Sequence, residues 1–372
     1  MTEQTVYRKN EYQTLKKLVC RVDPDKIFLI RGKGSYQSSG AEKFIENLFL
    51  EVLPSAFYNF DPNPQIEDLR KGLDLFNVKK YELIIAIGGG SVLDMAKLIS
   101  VFAHQNQKVE DIVQGKFNIE GKKTSVLAIP TTAGSGAEAT QFAVLYIDKK
   151  KYSIGHAAIR PDIVYLSPEF SHFAKPYLKA CSGLDAFCQA VESIWNVNAT
   201  KESLEYGYEA AKIIWNNLEN AVKNNDESAS VALQEASYLA GKAINITKTT
   251  APHALSYAFT SYYNIPHGHA VALSLPFFFD YNYNVSDKDC NDPRGDLSVK
   301  IRIEKLLETL DLSIFNMNTA LRRFFNSVNI NLNINELINN FDPDVIINNV
   351  NVDRLNNNPR VVTKQTIYAF LK

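Results

Sequence analysis

The stretch YELIIAIGGGSVLDMAK, residues 81–97, decides the fold of this chain. Its apolar run, residues 83–87, ends in three glycines and passes directly into a helical pattern. An uninterrupted run of Ile, Leu and Ala is typical of a strand that is buried on both faces of a parallel sheet. Comparable runs occur in KIFLIRG at 26–32 and in TSVLAIPTTAGSG at 124–136, and helical patterns at 39–53, 64–78 and 92–104 separate them. This alternation predicts an α/β domain with a doubly wound, mostly parallel sheet.

The second half of the chain has a different pattern. From about residue 182 the strand signal fades, and apolar residues recur at helical spacing in the segments 203–222, 228–244 and 298–310. The Asn-rich tail at 326–359 keeps recurring Ile and Leu residues, which indicates biased composition over ordinary helices rather than disorder. We therefore predict two domains, an α/β domain at 1–180 and an all-helical domain at 181–372.

Composition excludes several classes of function. The 372 residues carry a formal net charge of −1, so no global basic field attracts nucleic acid or an anionic membrane. No run approaches the ~18 apolar residues of a membrane-spanning helix, and the polar first residues contain no apolar core of a signal peptide. The four cysteines form no C-x-x-C pair, which suits a reducing compartment. These features predict a cytoplasmic protein.

Glycines and hydroxyls follow two of the predicted strands. Gly88, Gly89, Gly90 and Ser91 end the first one. Thr131, Thr132 and Ser135, with two glycines, end the next. Glycine lets a ligand approach the backbone closely, and a helix N-terminus offers free N–H groups to a phosphate. The G-x-G-x-x-G fingerprint is absent, and each loop alone is also compatible with a tight strand-to-helix turn. Because ligands of open α/β sheets bind beyond the carboxyl ends of strands, the pair favours a site for a pyrophosphate and a neighbouring ring.

A polar helix face and three histidines form the second candidate site. In GLDAFCQAVES, residues 183–193, Asp185, Gln189 and Glu192 are spaced by four and three residues and share one helix face. Further along the chain are His253 and the sequence His267-Gly268-His269, which enters an apolar run. A solvated helix face and a helix-capping histidine are the alternatives. Imidazoles placed against a core need a partner, and aspartate with histidines suits Fe²⁺ or Zn²⁺.

Together these segments resemble the iron-containing (group III) alcohol dehydrogenases, relatives of dehydroquinate synthase and glycerol dehydrogenase. GGGSVLDMAK (88–97), PTTAGSGAEAT (130–140), GLDAFCQAVES (183–193) and PHALSYAFTSYYNIPHGHAVAL (252–273) occur in the family's order. The resemblance implies a helical domain that binds metal and substrate, with Asp185, His253 and His267 as ligands of Fe²⁺ or Zn²⁺. The family's fourth ligand is a histidine, and Gln189 occupies its position here. A glutamine oxygen is a harder, weaker donor than imidazole, so a weakened metal site and a metal-free enzyme are both open.

The same resemblance implies that the α/β domain binds NAD(H) or NADP(H). Gly88 to Ser91 would hold the pyrophosphate. The nicotinamide and ribose region would be lined by Asp94, Thr131, Thr132, Ser135 and Lys151. Where many NAD-preferring members carry an acidic residue, this chain has Gly32 between Arg31 and Lys33. Nothing acidic there repels a 2′-phosphate, so NADP(H) is allowed.

The implied reaction is reversible hydride transfer between a nicotinamide and a small aldehyde or its primary alcohol. The predicted catalytic residues are Tyr257, at a position where many members carry a proton-transferring histidine, and His269. The branch that reduces phosphonoacetaldehyde to 2-hydroxyethylphosphonate is the most similar. Lys248 and Thr249 precede His253 and are the predicted substrate residues, since a lysine with hydroxyls and an imidazole suits a phosphonate. A solvent-facing Lys248 is the alternative.

Other functions remain open at this point. A general short-chain alcohol dehydrogenase and a dehydroquinate synthase-like lyase share the expected fold, nicotinamide and metal. A non-catalytic binding protein is a further alternative if Gln189 abolishes the metal site, although the clustered glycine loops and histidines argue against it. The expected partners are a small aldehyde or alcohol and a second copy of the chain, since the resemblance implies a homodimer.

Overall fold

The computed structural model describes residues 4–50, 52–148 and 150–372. The chain forms two compact units, Met1–Ala174 and Lys175–Lys372. The predicted domain boundary between residues 180 and 181 falls inside the first long helix of the second unit, Pro176–Trp195.

The first unit is built on a six-stranded sheet. Its strands are β1 (Thr5–Arg8), β2 (Ile27–Arg31), β3 (Ser55–Phe57), β4 (Leu83–Gly88), β5 (Ser125–Pro130) and β8 (Ile163–Leu166). They lie in the order β1-β8-β5-β4-β2-β3, and every pairing is parallel. A separate antiparallel hairpin consists of β6 (Phe142–Ile147) and β7 (Lys150–Gly155). The predicted parallel sheet is confirmed.

Helices cover both faces of this sheet. They are α1 (Tyr12–Val19), α2 (Ser35–Ser38), α3 (Ala41–Phe49), α4 (Ile66–Phe76), α5 (Gly90–Phe102), α6 (Val109–Val113) and α7 (Glu169–His172), with 3₁₀ turns at Lys9–Glu11, Pro24–Lys26 and Ala157–Ile159. Alternate residues of β4 point to opposite sides, since Ile84 and Ala86 join a core with α4 and α5, whereas Ile85 and Ile87 join a core with α1 and α3. The unit is therefore doubly wound, as predicted. The helix expected at 39–53 stops at Phe49, because Leu50 has a positive φ of 42°.

The second unit consists of helices. They are α8 (Pro176–Trp195), α9 (Lys201–Lys223), α10 (Glu227–Thr247), α11 (Ala251–Tyr263), α12 (His267–Tyr283), α13 (Asp296–Thr309), α14 (Met317–Ser327), α15 (Ile334–Leu337), α16 (Pro343–Asn348), α17 (Val352–Leu355) and α18 (Lys364–Leu371). The predicted helical character is confirmed. In the Asn-rich tail the helices are short, and asparagines cap two of them: the side chains of Asn333 and Asn351 accept hydrogen bonds from the first turns of α15 and α17.

Helix α8 lies at the centre of this unit. It packs against α9, α10, α12 and α13, so nearly all of its length is buried. Its buried polar residues include Asp185, Gln189 and Glu192, which lie among buried apolar side chains. Among the helices that the structure describes, none combines the length and the apolar character needed to cross a membrane.

Candidate active site

Three of the predicted metal ligands meet in the helical unit. Asp185 comes from the middle of α8, His253 from the first turn of α11, and His267 is the first residue of α12. The Oδ1 atom of Asp185 lies 3.2 Å from Nε2 of His253 and 4.0 Å from Nε2 of His267. All three ligand atoms lie within 4.8 Å of one another. Two imidazole nitrogens and one carboxylate oxygen are a donor set that fits Fe²⁺ or Zn²⁺.

Local sequence explains why both histidines begin helices. Pro252 occupies the first turn of α11, where its missing N–H costs no hydrogen bond. Asn264 adopts the left-handed conformation, with φ of 56°, and ends α11 three residues before His267. Pro266 is the N-cap residue that immediately precedes α12. The tight turn therefore returns the chain so that the two helices pack together and both histidines approach α8.

Burial and charge set the protonation of the cluster. Burial alone would raise the pKa of Asp185, but the hydrogen bond from His253 and the charges of His267 and His253 outweigh it, so the pKa is lowered. Burial alone would lower the pKa of His253, but Glu192 and Asp185 outweigh it and raise the pKa to about 10. In the absence of a metal, an ionised Asp185 thus faces a protonated His253 at neutral pH.

Gln189 lies beside these ligands. It is buried, and its hydrogen bond to Asp185 helps to lower the pKa of that carboxyl. The geometry allows the amide to orient Asp185. Its role as a fourth metal ligand stays a prediction.

Tyr257 stacks on one of the predicted metal ligands, His267. Its ring lies parallel to that of His267, with centroids 5.8 Å apart and an interplanar angle of 12°. The side chain of Ser256 also contacts His267, with its Oγ 3.4 Å from Nδ1 of the ring. The predicted proton-handling residue therefore lies next to the metal cluster.

His269 has different neighbours. Its Nε2 lies 2.6 Å from the carbonyl oxygen of Asn331, and its Nδ1 lies 2.9 Å from the hydroxyl of Tyr177. Burial lowers its pKa, which favours a neutral ring that donates to Asn331 and accepts from Tyr177. The structure thus shows His269 connecting α12 to α8 and to the loop before α15, while its catalytic role stays a prediction.

The predicted substrate residues lie on the short loop between α10 and α11. Lys248 ends α10 with φ of 63° and ψ of −169°, a conformation that lysine rarely adopts, and its side chain is exposed. Thr249 is buried, and its carbonyl accepts a hydrogen bond from Asn357. The next residue, Thr250, bonds to Glu192. Sequence patterns left Glu192 unassigned, and its one available signal was its position seven residues after Asp185 on the same helix face.

The two glycine loops of the first unit lie side by side. Gly88 is paired with Pro130 in the register of β4 and β5, and the backbone N–H of Thr131 donates to the carbonyl of Gly88. A Cβ on Gly90 would come 3.0 Å from Oγ of Ser135, so a side chain there would press on the second loop. The N-terminus of α5 begins at Gly90 and offers its free N–H groups at this edge.

Three further predicted cofactor residues, Ser91, Asp94 and Lys151, lie on α5 and β7. Oδ2 of Asp94 accepts from the backbone N–H of Val144, and burial raises its pKa although nearby Lys97 opposes the shift. Lys151, on β7, adds a smaller opposing charge. Oγ of Ser91 accepts from the backbone N–H of Asn63. The hydrogen bond between Asp94 and Val144 therefore connects α5 to β6.

Comparison with known proteins gives one consistent family. The model described as iron-containing alcohol dehydrogenase matches residues 2–168, and the model of the Fe-containing alcohol dehydrogenase family, C-terminal, matches residues 179–372. The phosphonoacetaldehyde reductase of Streptomyces viridochromogenes is 34% identical over 62% of this chain and 61% of that protein. An aldehyde-alcohol dehydrogenase of Streptococcus pneumoniae is 28% identical over 76% of this chain, which spans only 33% of that longer protein.

The solved structures give the same fold. A sulfoacetaldehyde reductase from Bifidobacterium kashiwanohense, solved in complex with NAD⁺, superposes with a TM-score of 0.87 at 23% identity. The match covers 99% of this chain and 96% of that one. An iron-containing alcohol dehydrogenase from Thermotoga maritima superposes with a TM-score of 0.84 at 22% identity, covering 100% and 97% of the two chains.

Proposed function

Because the chain belongs to the iron-containing alcohol dehydrogenase family, we propose that it interconverts a small aldehyde and its primary alcohol with NAD(P)(H). The observation that carries this proposal is the cluster of Asp185, His253 and His267 on three helices. We propose phosphonoacetaldehyde and 2-hydroxyethylphosphonate as the preferred pair. The 34% identity to a phosphonoacetaldehyde reductase supports this choice.

The proposed metal site combines a carboxylate whose pKa is lowered with two histidines that differ in burial. Asp185 and His253 are buried, and His267 is half-buried, so one side of the cluster is more accessible than the other. Gln189 holds the Asp185 carboxylate by a hydrogen bond and is our proposed fourth, oxygen ligand. Once bound, Fe²⁺ or Zn²⁺ would act as a Lewis acid that polarises the carbonyl oxygen of the substrate.

The first unit would bind the nicotinamide cofactor, which supplies the hydride in the reducing direction. We propose that Gly88 to Ser91 hold the pyrophosphate at the N-terminus of α5. The remaining proposed cofactor residues are Asp94, Thr131, Thr132, Ser135 and Lys151. Relatives described as NADPH-dependent butanol dehydrogenase and NAD-dependent methanol dehydrogenase support a nicotinamide of either kind.

Proton transfer is assigned to Tyr257. Its stacking on His267 keeps the phenol next to the metal cluster, where it can donate a proton to the oxygen of the product alcohol. For His269 we propose a supporting part in catalysis, because its two hydrogen bonds hold the first turn of α12, and with it His267, in place.

The phosphonate is assigned to Lys248 and Thr249. A lysine ammonium and a hydroxyl suit an anion, and the exposed side chain of Lys248 is accessible to it. The unusual backbone of Lys248 is held by its carbonyl, which accepts from Oγ1 of Thr247 at 2.7 Å and from Nδ2 of Asn196 at 3.2 Å. Strain of this kind is concentrated at functional sites.

The test compares phosphonoacetaldehyde with a neutral short aldehyde in wild type and in Lys248→Met. The variant should raise KM for phosphonoacetaldehyde roughly tenfold or more, the effect of losing one charge-assisted contact, and leave the neutral aldehyde unaffected. Lys242→Met, which removes a lysine of the preceding helix α10, is the matched control. Wild-type enzyme that reduces the neutral aldehyde equally well would contradict the phosphonate assignment. Product formation without nicotinamide oxidation would instead indicate the lyase alternative.

We also propose NADPH as the preferred cofactor. Arg31 ends β2, and its guanidinium lies between the rings of Tyr36 and Tyr58, 4.4 Å and 3.9 Å from their centroids. The stacked arginine provides positive charge, and Gly32 itself adds no carboxylate, whereas the neighbouring Lys33 is paired with Asp61. The ratio of kcat/KM for NADPH and NADH measures this preference, and a strong preference for NADH would contradict it.

Location and assembly complete the proposal. We propose a cytoplasmic homodimer, in line with the cysteine spacing and with the family resemblance. Light scattering coupled to size-exclusion chromatography measures the assembly, and a mass of one chain, 41.8 kDa, would contradict the dimer.

A further inference from the structure

Glu192 is a charged residue that is completely buried in α8. Its carboxylate meets three hydrogen-bond donors from the α10–α11 loop and from α11. Oε2 accepts from the backbone N–H of Thr250 at 2.6 Å and from the Thr250 hydroxyl at 2.8 Å. Oε1 is hydrogen-bonded to Nδ1 of His253. A buried carboxylate with this many partners has a specific structural role.

The direction of each hydrogen bond follows from the donors involved. The indole Nε1–H of Trp195, which can only donate, bonds to Oγ1 of Thr250 at 2.9 Å. The hydroxyl hydrogen of Thr250 is therefore directed to Glu192, and the backbone N–H of Thr250 can only donate as well. Both of these hydrogens point at Oε2, which leaves Oε1 as the acceptor that faces Nδ1 of His253. The hydrogen between Glu192 and His253 thus belongs to Nδ1 of His253.

We propose that Glu192 is a positioning residue that holds His253 with its hydrogen on Nδ1 and its Nε2 directed at the metal. This inference rests on the proposed metal site. The Nε2 atom already lies 3.2 Å from Oδ1 of Asp185, on the side of the ring opposite Glu192. Carboxylates that accept from the distal nitrogen of a ligating histidine orient the ring and increase its basicity.

A glutamine at position 192 separates this role from a merely structural one. Glutamine has the same shape but only one acceptor oxygen, while three donors converge on the site. If its NH₂ group faces His253, Nδ1 must accept and the ring hydrogen moves to Nε2, where it blocks the metal. If its NH₂ group faces Thr250, it meets the backbone N–H, which is also a donor. A purely structural Glu192 would lower stability without a selective effect on metal binding.

The experiment measures Zn²⁺ affinity of the full, metal-stripped chain by competition with a chromophoric chelator. Glu192→Gln should bind Zn²⁺ about 10- to 100-fold more weakly than wild type, the usual effect of removing such a partner. The matched control is Glu138→Gln, the same substitution at another buried glutamate, which belongs to the first unit and is not one of the residues of the metal cluster. It should retain wild-type affinity. Nitrogen-15 spectra of the Zn²⁺ complex, labelled at histidine, should show a protonated Nδ1 on His253 in wild type.

Two outcomes separate this inference from the proposal beneath it. If Glu192→Gln melts at a lower temperature yet binds Zn²⁺ as tightly as wild type, Glu192 is structural and the inference is wrong. If wild type itself binds no Zn²⁺, the proposed metal site is wrong, and the positioning role fails with it.

Discussion

Gly268 packs directly against the backbone of Cys181. A Cβ built on Gly268 would lie 1.9 Å from the carbonyl oxygen of Cys181 and 3.1 Å from Cβ of Asp185. Only glycine lets α12 approach α8 this closely. Because His267 precedes Gly268 and Asp185 lies one helical turn after Cys181, this contact determines how closely the two ligands approach.

Gly268→Ala should therefore weaken metal binding and destabilise the helical unit. The added methyl group meets backbone atoms that have little room to move, and overpacking of this kind typically costs about 1–3 kcal/mol. Urea denaturation and Zn²⁺ titration measure both effects. Gly34→Ala is the matched control, since a Cβ at Gly34 meets no atom within 4 Å. Equal Zn²⁺ affinity in Gly268→Ala and wild type would contradict the account of the α8–α12 contact.

Gln189→His should tighten metal binding by at least roughly tenfold, since imidazole is a better ligand than an amide oxygen for these metals. The variant would place a fourth donor one turn from Asp185, on the same face of α8. Gln189→Leu, of similar volume, tests the wild-type residue itself: its Zn²⁺ affinity falls if the glutamine oxygen ligates. Unchanged affinity in both variants would mean that Gln189 takes no part in metal binding.

Metal affinity and stability should depend on pH through His253. Its pKa in the folded, metal-free protein is raised from 6.5 to about 10, because the carboxylates of Glu192 and Asp185 outweigh the effect of burial. Metal must displace this proton, so apparent Zn²⁺ affinity should rise with pH below about 10. The stabilisation from the protonated ring is complete below pH 6.5 and is lost as the pH rises through about 10.

Chelator competition at several pH values and urea denaturation of the metal-free protein between pH 7 and 10 measure the two trends. His253→Gln should show a flatter loss of stability over the same range. An equally steep loss in that variant would assign the pH dependence to another group.

Lys97→Met should weaken cofactor binding. The fully buried Nζ donates to the carbonyl of Ala137 at 2.8 Å and to Oγ1 of Thr140 at 3.0 Å, which connects α5 to the chain just after the second glycine loop. The variant leaves Asp94, whose Oδ1 lies 3.5 Å from Nζ of Lys97, without this charge, and breaking a buried pair costs roughly 3–5 kcal/mol. NADPH titration by fluorescence and urea denaturation provide the readouts. The control is Lys26→Met, which removes an exposed ion pair with Glu82 and should keep wild-type NADPH affinity and stability.

Wild-type NADPH affinity in Lys97→Met would contradict a role of Lys97 in placing the second glycine loop.

Local sequence was sufficient to predict the fold class and to select most of the residues of the candidate site. The uninterrupted Ile and Leu runs of β4 and β5 predicted a doubly buried parallel sheet, because only a strand covered on both faces avoids polar alternation. Helical spacing placed Asp185, Gln189 and Glu192 on one face of α8, since residues three and four apart share a face in any helix. The histidines of the segment 252–273 were further candidates, and the family resemblance assigned His253 and His267 as ligands together with Asp185, to which no spacing rule connects them.

Only the tertiary structure decided what each of these side chains contacts. Glu192 reaches Thr250 and His253, which are 58 and 61 residues away, and His269 bonds to Tyr177 and Asn331 rather than to the metal ligands. A sequence pattern constrains neighbours within a few turns, whereas these contacts depend on how α8, α11 and α12 pack. The chain by itself thus determined which chemical groups are available, and the packing of three helices determined the direction in which each hydrogen bond points.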